Sequence, residues 1–259
     1  MKKNELKNIK ITILYGKRYS VLLHKLPKYI NKVNPDYAIF LAFPPSFLWK
    51  PHKKIKVFST IHDLVCYDVP KTMKWKSKIY FRRSIKHAIK ISNKIIVNSN
   101  FTCSRVIDKF KYNSNDIVKA YCASSMPIVK KDYTEIKNKY NLPSKYILGL
   151  STVEPRKNFE QLIVWMCKIW KENPLIPDLV LVGRNGWKQE KILKNVPSDL
   201  INRIHFTGFA NEEDIYSLYN FSETFIFPSI YEGFGIPLLE ALEANKLPIC
   251  SKIPVFEEI

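Results

Sequence analysis

Short apolar runs alternating with helical periodicities frame this chain. Residues 9–15 alternate apolar and polar positions up to Gly16, which predicts a strand. Apolar residues from 22 to 33 recur near helical spacing until Asn34-Pro35-Asp36 breaks the pattern. Residues 37–43, 56–61, 94–97 and 118–121 read as further strands, with helices over 71–94 and 100–112. Residues 124–145 hold Pro127 and Pro143 and show little apolar periodicity, which predicts a linker. Beyond it, strands at 146–150, 179–182, 204–209 and 225–227 alternate with helices. The first of these helices places Phe159, Leu162, Ile163, Met166, Ile169 and Trp170 on one side, and the next places Ile215, Leu218 and Tyr219. Strands alternating with helices predict parallel, doubly wound sheets, which gather ligands at the carboxyl ends of their strands. The expected layout is a first unit at 1–125, a linker at 126–145 and a second unit at 146–259.

Charge sharpens that division. The chain of 259 residues carries a net +19, unevenly spread. Residues 1–143 hold 30 Lys and Arg against 8 Asp and Glu, and the remainder holds 12 against 15. Halves of opposite sign predict different partners for each. Residues 71–94 contain nine cations and no acid, interleaved with Trp75, Ile79, Ile85, Ala88 and Ile89. That pattern fits a helix docking on an anionic membrane surface, and equally a solvated helix face. No helix-turn-helix, zinc finger or stacking platform accompanies the charge, so nucleic acid is not an expected partner. Five widely spaced cysteines without Cys-x-x-Cys point away from a disulfide framework or zinc knuckle, and toward a reducing cytoplasm. No leader is evident, and no apolar run reaches the ~20 residues of a membrane span.

Four strand ends carry candidate chemistry. His62-Asp63 follows the strand at 56–61, where an imidazole could hydrogen-bond a sugar hydroxyl or move a proton, or the pair could simply end the strand and start a turn. Arg156 and Lys157 stand at a strand-to-helix turn, as a fork and a point charge suited to a pyrophosphate. Gly183 closes the strand at 179–182 in the sequence Val182-Gly183-Arg184-Asn185-Gly186-Trp187. Gly233 and Gly235 flank Phe234 between the run at 225–227 and a helix opened by Pro237, so free amides and a helix dipole would favour a phosphate. Glu232 lies in that loop, and Glu240 about one turn into the helix.

The string FPSIYEGFGIPLLEAL, with Glu232 and Glu240 separated by seven residues, resembles the signature of retaining, nucleotide-sugar-dependent glycosyltransferases of group 1 (family GT4). Ser59-Thr60-Ile61-His62-Asp63-Leu64 is similar to that family's His-Asp loop, and Glu154-Pro155-Arg156-Lys157-Asn158 to its phosphate loop. The resemblance implies an α/β GT-B fold: two Rossmann-like domains with a cleft between them, the basic one on the acceptor side. It implies that Glu240 holds the ribose, that Glu232 contacts the transferred sugar, that the Gly233, Phe234 and Gly235 amides lie beside sugar and phosphate, and that Gly183, in a turn similar to the family's Val-Gly-x-x-Gly-Trp, binds on the donor side. His62, with Asp63, would face the reaction, and Arg156 or Lys157 would stabilise the departing diphosphate. No metal or other cofactor is implied, since Asp-x-Asp is absent. The implied activity moves a hexosyl unit, mannosyl among the candidates, from a GDP- or UDP-sugar to a glycan or lipid-linked glycan, as in O-antigen, capsule or lipopolysaccharide assembly. The implied setting is the cytoplasm or the inner face of the cell membrane. The family's first strand and Gly-rich loop, and its last helices, have no counterpart in the sequence, so both ends are expected to be truncated. A non-catalytic chain that binds nucleotide or lipid is the alternative expectation.

Overall fold

In the computed structural model, β1 (Tyr37–Phe40), β2 (Lys56–Ile61), β3 (Lys94–Val97) and β4 (Ile117–Lys119) stand side by side, parallel and in chain order. Residues 10–152, 154–184 and 193–259 are described. The helix α1 (Leu26–Val33) precedes β1 and ends at Asn34 in the left-handed conformation. Pro27 sits in its first turn, just after one π-helical stretch (Val21–Lys25) that spares the proline an amide it lacks. After β2 come the short α2 (Val65–Asp68) and the long basic α3 (Trp75–Ile91), and α4 (Asn100–Phe110) follows β3. Ile61, Leu64, Ile85, Ile95, Val97 and Val106 close the first core between sheet and helices.

A second parallel sheet is ordered β7-β6-β5-β8-β9: β5 (Tyr146–Leu150), β6 (Asp178–Val182), β7 (Ile204–Gly208), β8 (Thr224–Phe227) and β9 (Pro248–Cys250). Its helices are α5 (Tyr133–Tyr140), α6 (Phe159–Glu172), α7 (Glu212–Phe221), α8 (Ile236–Glu243) and α9 (Pro254–Glu258). Leu179 and Leu181 of β6 pack on the Phe159, Leu162, Ile163, Met166 and Trp170 stripe of α6. Val180 and Val182 point the other way, onto a core shared with Leu218, Tyr219, Leu238 and Ala241. A strand buried on both faces has to be apolar there, as Leu179 to Val182 of β6 are.

Two sequence expectations are corrected. Residues 10–15 form no strand, and Ile9 lies outside the described residues. Ile11, Ile13 and Tyr15 are 65–76% exposed, and the segment is tied instead to the α1 region, by Thr12 to the Tyr29 hydroxyl (2.7 Å) and by Lys25 Nζ to the Tyr15 carbonyl (2.6 Å). An alternating pattern needs a neighbouring strand to become a ladder, and β1 pairs only with β2 among the described residues. Residues 126–145 are likewise more than a linker. Asp132 caps α5 through the Thr134 and Glu135 amides, and Ile136 and Leu142 enter the second core. The helix is otherwise held by charge. Asp214 is fully buried, pairs with Lys131 (2.7 Å) and accepts from Lys139 (2.6 Å) and the Tyr140 hydroxyl (2.5 Å). Burial alone would raise the pKa of Asp214, but those three donors bring it down to about 2. Two buried apolar side chains leave no periodic trace, which is why the sequence pattern misses this helix.

Candidate functional site

Strand order explains where the chemistry gathers. The chain leaves β5 for α6 on one side of the second sheet and leaves β8 for α8 on the other, and β5 and β8 are neighbours. Their two loops therefore meet at a topological switch point, the usual crevice of such sheets. From β5, the turn Pro155–Lys157 carries Arg156 and Lys157, and Asn158 takes a left-handed conformation (φ 60°) to start α6. From β8, the loop carries Glu232. Its carboxylate is clamped between the two cations, Arg156 Nη1 and Lys157 Nζ each donating at 2.6 Å. Arg156 Nε also reaches Glu154 (3.3 Å).

All three groups are buried or nearly so, which sharpens their mutual field. Burial pushes Glu232 up, yet Lys157 and Arg156 together outweigh it and hold the carboxyl below its usual value. Lys157 moves the other way: burial lowers it more than Glu232 raises it. The cluster is thus one ionised carboxylate shared by two cations, with Lys157 the more easily discharged.

The first domain supplies the opposite wall. His62 Nε2 donates to the Leu41 carbonyl at 2.7 Å, which orients the ring and turns Nδ1 away from that bond. Asp63 Oδ1 accepts from the Val65 amide (3.1 Å), so this side chain does start a turn. Burial raises its pKa, opposed by the Val65 amide and Arg156. His62, Asp63, Glu154 and Arg156 all line one cavity of about 470 Å³, otherwise walled by first-domain residues.

The remaining sequence candidates sit apart from that cavity wall. Glu240 on α8 is half-buried and accepts from the Tyr219 hydroxyl (3.1 Å). Burial pushes its pKa up, against the pull of that bond. Gly183 packs its backbone against Ser151: a Cβ there would come within 1.9 Å of the Ser151 carbonyl oxygen, and its φ of 150° disfavours other residues. The residues 185–192 of the expected Gly-rich turn lie outside the described residues. Phe234 is buried with its ring against Tyr121 of the first domain, and Gly235 leads into α8.

Sequence reading missed the seam that brings the two walls together. Ser99 and Thr102, at the start of α4, donate to the Gly233 carbonyl at 2.7 and 3.2 Å. A Cβ on Gly233 would fall 1.8 Å from the His62 carbonyl oxygen, so the two backbones touch. Tyr231 reaches across to donate to Asp68 (2.9 Å), itself held by Arg105 at 2.7 and 3.0 Å. Glu258 of α9 accepts from the Asn100 and Phe101 amides, capping the first domain's α4 with a second-domain carboxylate. The signal available was Tyr231 within the sixteen-residue string, but nothing in the sequence names Asp68 as its partner.

Residues 132–259 match the family described as "Glycosyl transferases group 1". The chain is 28% identical over 229 residues to O-antigen chain mannosyltransferase B of Escherichia coli, covering 86% of this chain and 60% of that protein. It is 38% identical over 127 residues to the serotype-specific mannosyltransferase WbdA of Escherichia coli, covering 48% of this chain and 16% of that one. Among solved structures it is similar to Anabaena Alr3699/HepE in complex with UDP and glucose, with TM-score 0.66 at 16% identity over 93% of this chain and 66% of that one. WaaG, a glycosyltransferase involved in lipopolysaccharide biosynthesis, gives TM-score 0.65 at 13% identity over 89% of this chain and 63% of that one. The chain thus spans about 60% of the length of the first of these relatives.

Proposed function

From the premise that the chain has the GT-B fold and that its residues 132–259 belong to the group 1 glycosyl transferases, we propose that it transfers a hexosyl unit from a nucleotide sugar to a glycan. The observation that carries this reading is the Arg156–Glu232–Lys157 cluster, whose Arg156 lines the same cavity as His62. As the glycosidic bond to the donor breaks, negative charge builds on the departing diphosphate. Two preorganised cations stabilise that charge without reorganising, the largest electrostatic contribution such a site can make. Arg156 presents a planar fork and Lys157 a point charge. His62, oriented by the Leu41 carbonyl, presents Nδ1 for a hydrogen bond with a sugar hydroxyl near the reacting carbon. Glu232 orients the transferred sugar, and Glu240, steadied by Tyr219, holds the ribose. The Gly233, Phe234 and Gly235 backbone lies beside sugar and phosphate, with Gly183 and Asp63 supporting the two strand ends.

The relatives named above include an O-antigen chain mannosyltransferase and a serotype-specific mannosyltransferase, which supports mannose as the sugar and a surface glycan as acceptor, and the similar HepE structure holds UDP, which supports a nucleotide carrier, GDP or UDP. Retention of configuration and independence from metal belong to the same reading. The basic α3 supports peripheral attachment to the inner membrane face: it exposes Trp75 and Ile79 among its lysines and arginines. No described helix is long and apolar enough to cross a membrane.

A transfer assay with a panel of GDP- and UDP-sugars, run with and without EDTA, tests the reading. Transfer that survives chelation and is lost in Arg156→Gln supports it; nucleotide binding without turnover from any donor would leave a non-catalytic binder instead. Sedimentation with vesicles tests the membrane part: attachment to phosphatidylglycerol but not phosphatidylcholine vesicles is expected, and equal recovery with both argues against it.

A further inference from the structure

Tyr231 stands next to Glu232, yet its side chain leaves the second domain. The main chain around it is tied to the cation turn behind β5. The Ile230 amide donates to the Arg156 carbonyl at 2.9 Å, and Arg156 Nη1 reaches the Tyr231 carbonyl at 3.4 Å. The ring instead enters the first domain, edge-on to Phe101 of α4 with centroids 5.5 Å apart, and the residue is buried. Its hydroxyl lies between the two ends of α2. It accepts from the amide of fully buried Leu64 at 3.3 Å and donates to Asp68 Oδ2 at 2.9 Å.

Both partners are fixed from behind. Asp68 ends α2 with its amide bonded to the Leu64 carbonyl (2.9 Å), and Arg105 grips both of its carboxylate oxygens. Burial works against that charge, but the Arg105 and Tyr231 bonds together hold Asp68 below its ordinary pKa. The acceptor is therefore a carboxylate, and charge-assisted bonds of this kind are the strong ones. Burial, and after it Asp68, pushes the phenol above its ordinary value, so the hydroxyl stays a donor. Leu64 comes two residues after His62, and Tyr231 one residue before Glu232. One hydroxyl thus joins the backbone that carries the histidine to the backbone that carries the clamped carboxylate. Burying the ring does not require that oxygen, since phenylalanine would offer the same edge contact to Phe101. What the oxygen adds is a fixed separation across the seam. The cations take no part in its bonds: Arg156 reaches only the main chain of Tyr231, and Lys157 bonds Glu232.

Resting on the transfer reading above, we infer that Tyr231 is a positioning residue for the reaction: its hydroxyl, seated between the Leu64 amide and Asp68, sets the spacing between Glu232 and His62. Nucleotide binding rests on the second domain. Turnover depends in addition on this bond, because a misplacement of about 1 Å at the reacting groups costs about a hundredfold in rate.

The test is a double-mutant cycle on the full chain, with Tyr231→Phe and Asp68→Ala made singly and together. Turnover is followed as nucleotide release from GDP-mannose and from UDP-glucose with methyl α-mannoside as acceptor. Calorimetry measures GDP and UDP affinity, and thermal melts measure stability. Tyr231→Phe is expected to lower kcat about tenfold or more, while donor KM and nucleotide affinity stay within about twofold. Asp68→Ala, which leaves the Leu64 bond in place, lowers kcat about threefold to tenfold, and added to Tyr231→Phe it lowers kcat no further. Asp214→Asn, outside the seam, is the control for lost stability: it lowers the melting midpoint and leaves kcat unchanged. If Tyr231→Phe does not fold, Asp68→Ala decides by the same split, a fall in kcat at constant nucleotide affinity. Natural turnover in the variants, effects that multiply in the double variant, or nucleotide affinity lost in step with kcat overturns the inference while the transfer reading stands. If the natural chain releases nucleotide from neither donor, the transfer reading fails and this inference with it.

Discussion

Replacing Glu232 by Gln probes the core of the site without changing its shape. The carboxylate is 9% exposed and Lys157 8%, with 2.6 Å contacts to both cations. Taking one partner from a buried ion pair costs about 3–5 kcal/mol, and glutamine keeps one acceptor, so the lower end, about 3 kcal/mol, applies. For a chain of this size that lowers the thermal midpoint by about 6–12 °C. The variant also loses an acid limb. Since the carboxyl is held below its ordinary value in the fold, its stabilisation is present above the unfolded value near ~4.3 and disappears as pH falls through the folded one. Free nucleotide should do the opposite. In the natural chain a diphosphate shares its cations with Glu232, whereas in the variant it restores the missing negative charge, so UDP or GDP binds about tenfold more tightly while transfer is lost. Thermal melts from pH 3 to 8 with and without nucleotide, together with calorimetry, measure all of this. A variant that melts like the natural chain, or that binds nucleotide more weakly, refutes the electrostatic account.

Three further outcomes follow from other contacts. Tyr219→Phe removes the hydroxyl that steadies Glu240, so the donor KM rises about fivefold at nearly constant kcat; a fall in kcat alone would show that Glu240 is not positioned this way. Asp214→Asn deprives α5 of its anchor, at a cost on the order of 2 kcal/mol above pH 4 that vanishes as pH falls toward about 2, read by urea unfolding across that window. Gly233→Ala drives a methyl into the His62 carbonyl; nucleotide affinity on the second domain stays within about twofold while transfer drops about a hundredfold, the usual cost of a 1 Å misplacement. Normal turnover in that variant would mean the two backbones need not touch.

How much was legible beforehand depended on whether a feature was local in sequence. The buried strands β2, β5, β6 and β8 announce themselves as apolar runs, and the Phe159–Trp170 stripe of α6 is read directly from helical spacing. Residues 10–15 carried an equally plain pattern and form no strand, because alternation states a preference and a sheet requires a partner. The helix at residues 133–140 was hidden for the converse reason, since charges around Asp214 hold it and few apolar residues do. At the site, Arg156, Lys157, Glu232 and His62 were each named from their strand ends. Their arrangement was not readable: that Glu232 sits between the two cations follows from β5 and β8 being neighbours, a long-range pairing. Tyr219 and Asp68 lay further still from any local cue.

The contact of Gly233 with the His62 carbonyl carries a mechanical consequence. A ligand that nudges the loop behind β8 cannot leave the histidine where it was, because no gap remains between them to absorb the shift. A shift at that loop therefore reaches the His62 wall through this contact, alongside the Ser99, Thr102 and Tyr231 hydrogen bonds, and a substitution that slackens the joint should blur the timing of binding events on the two walls before it weakens either one.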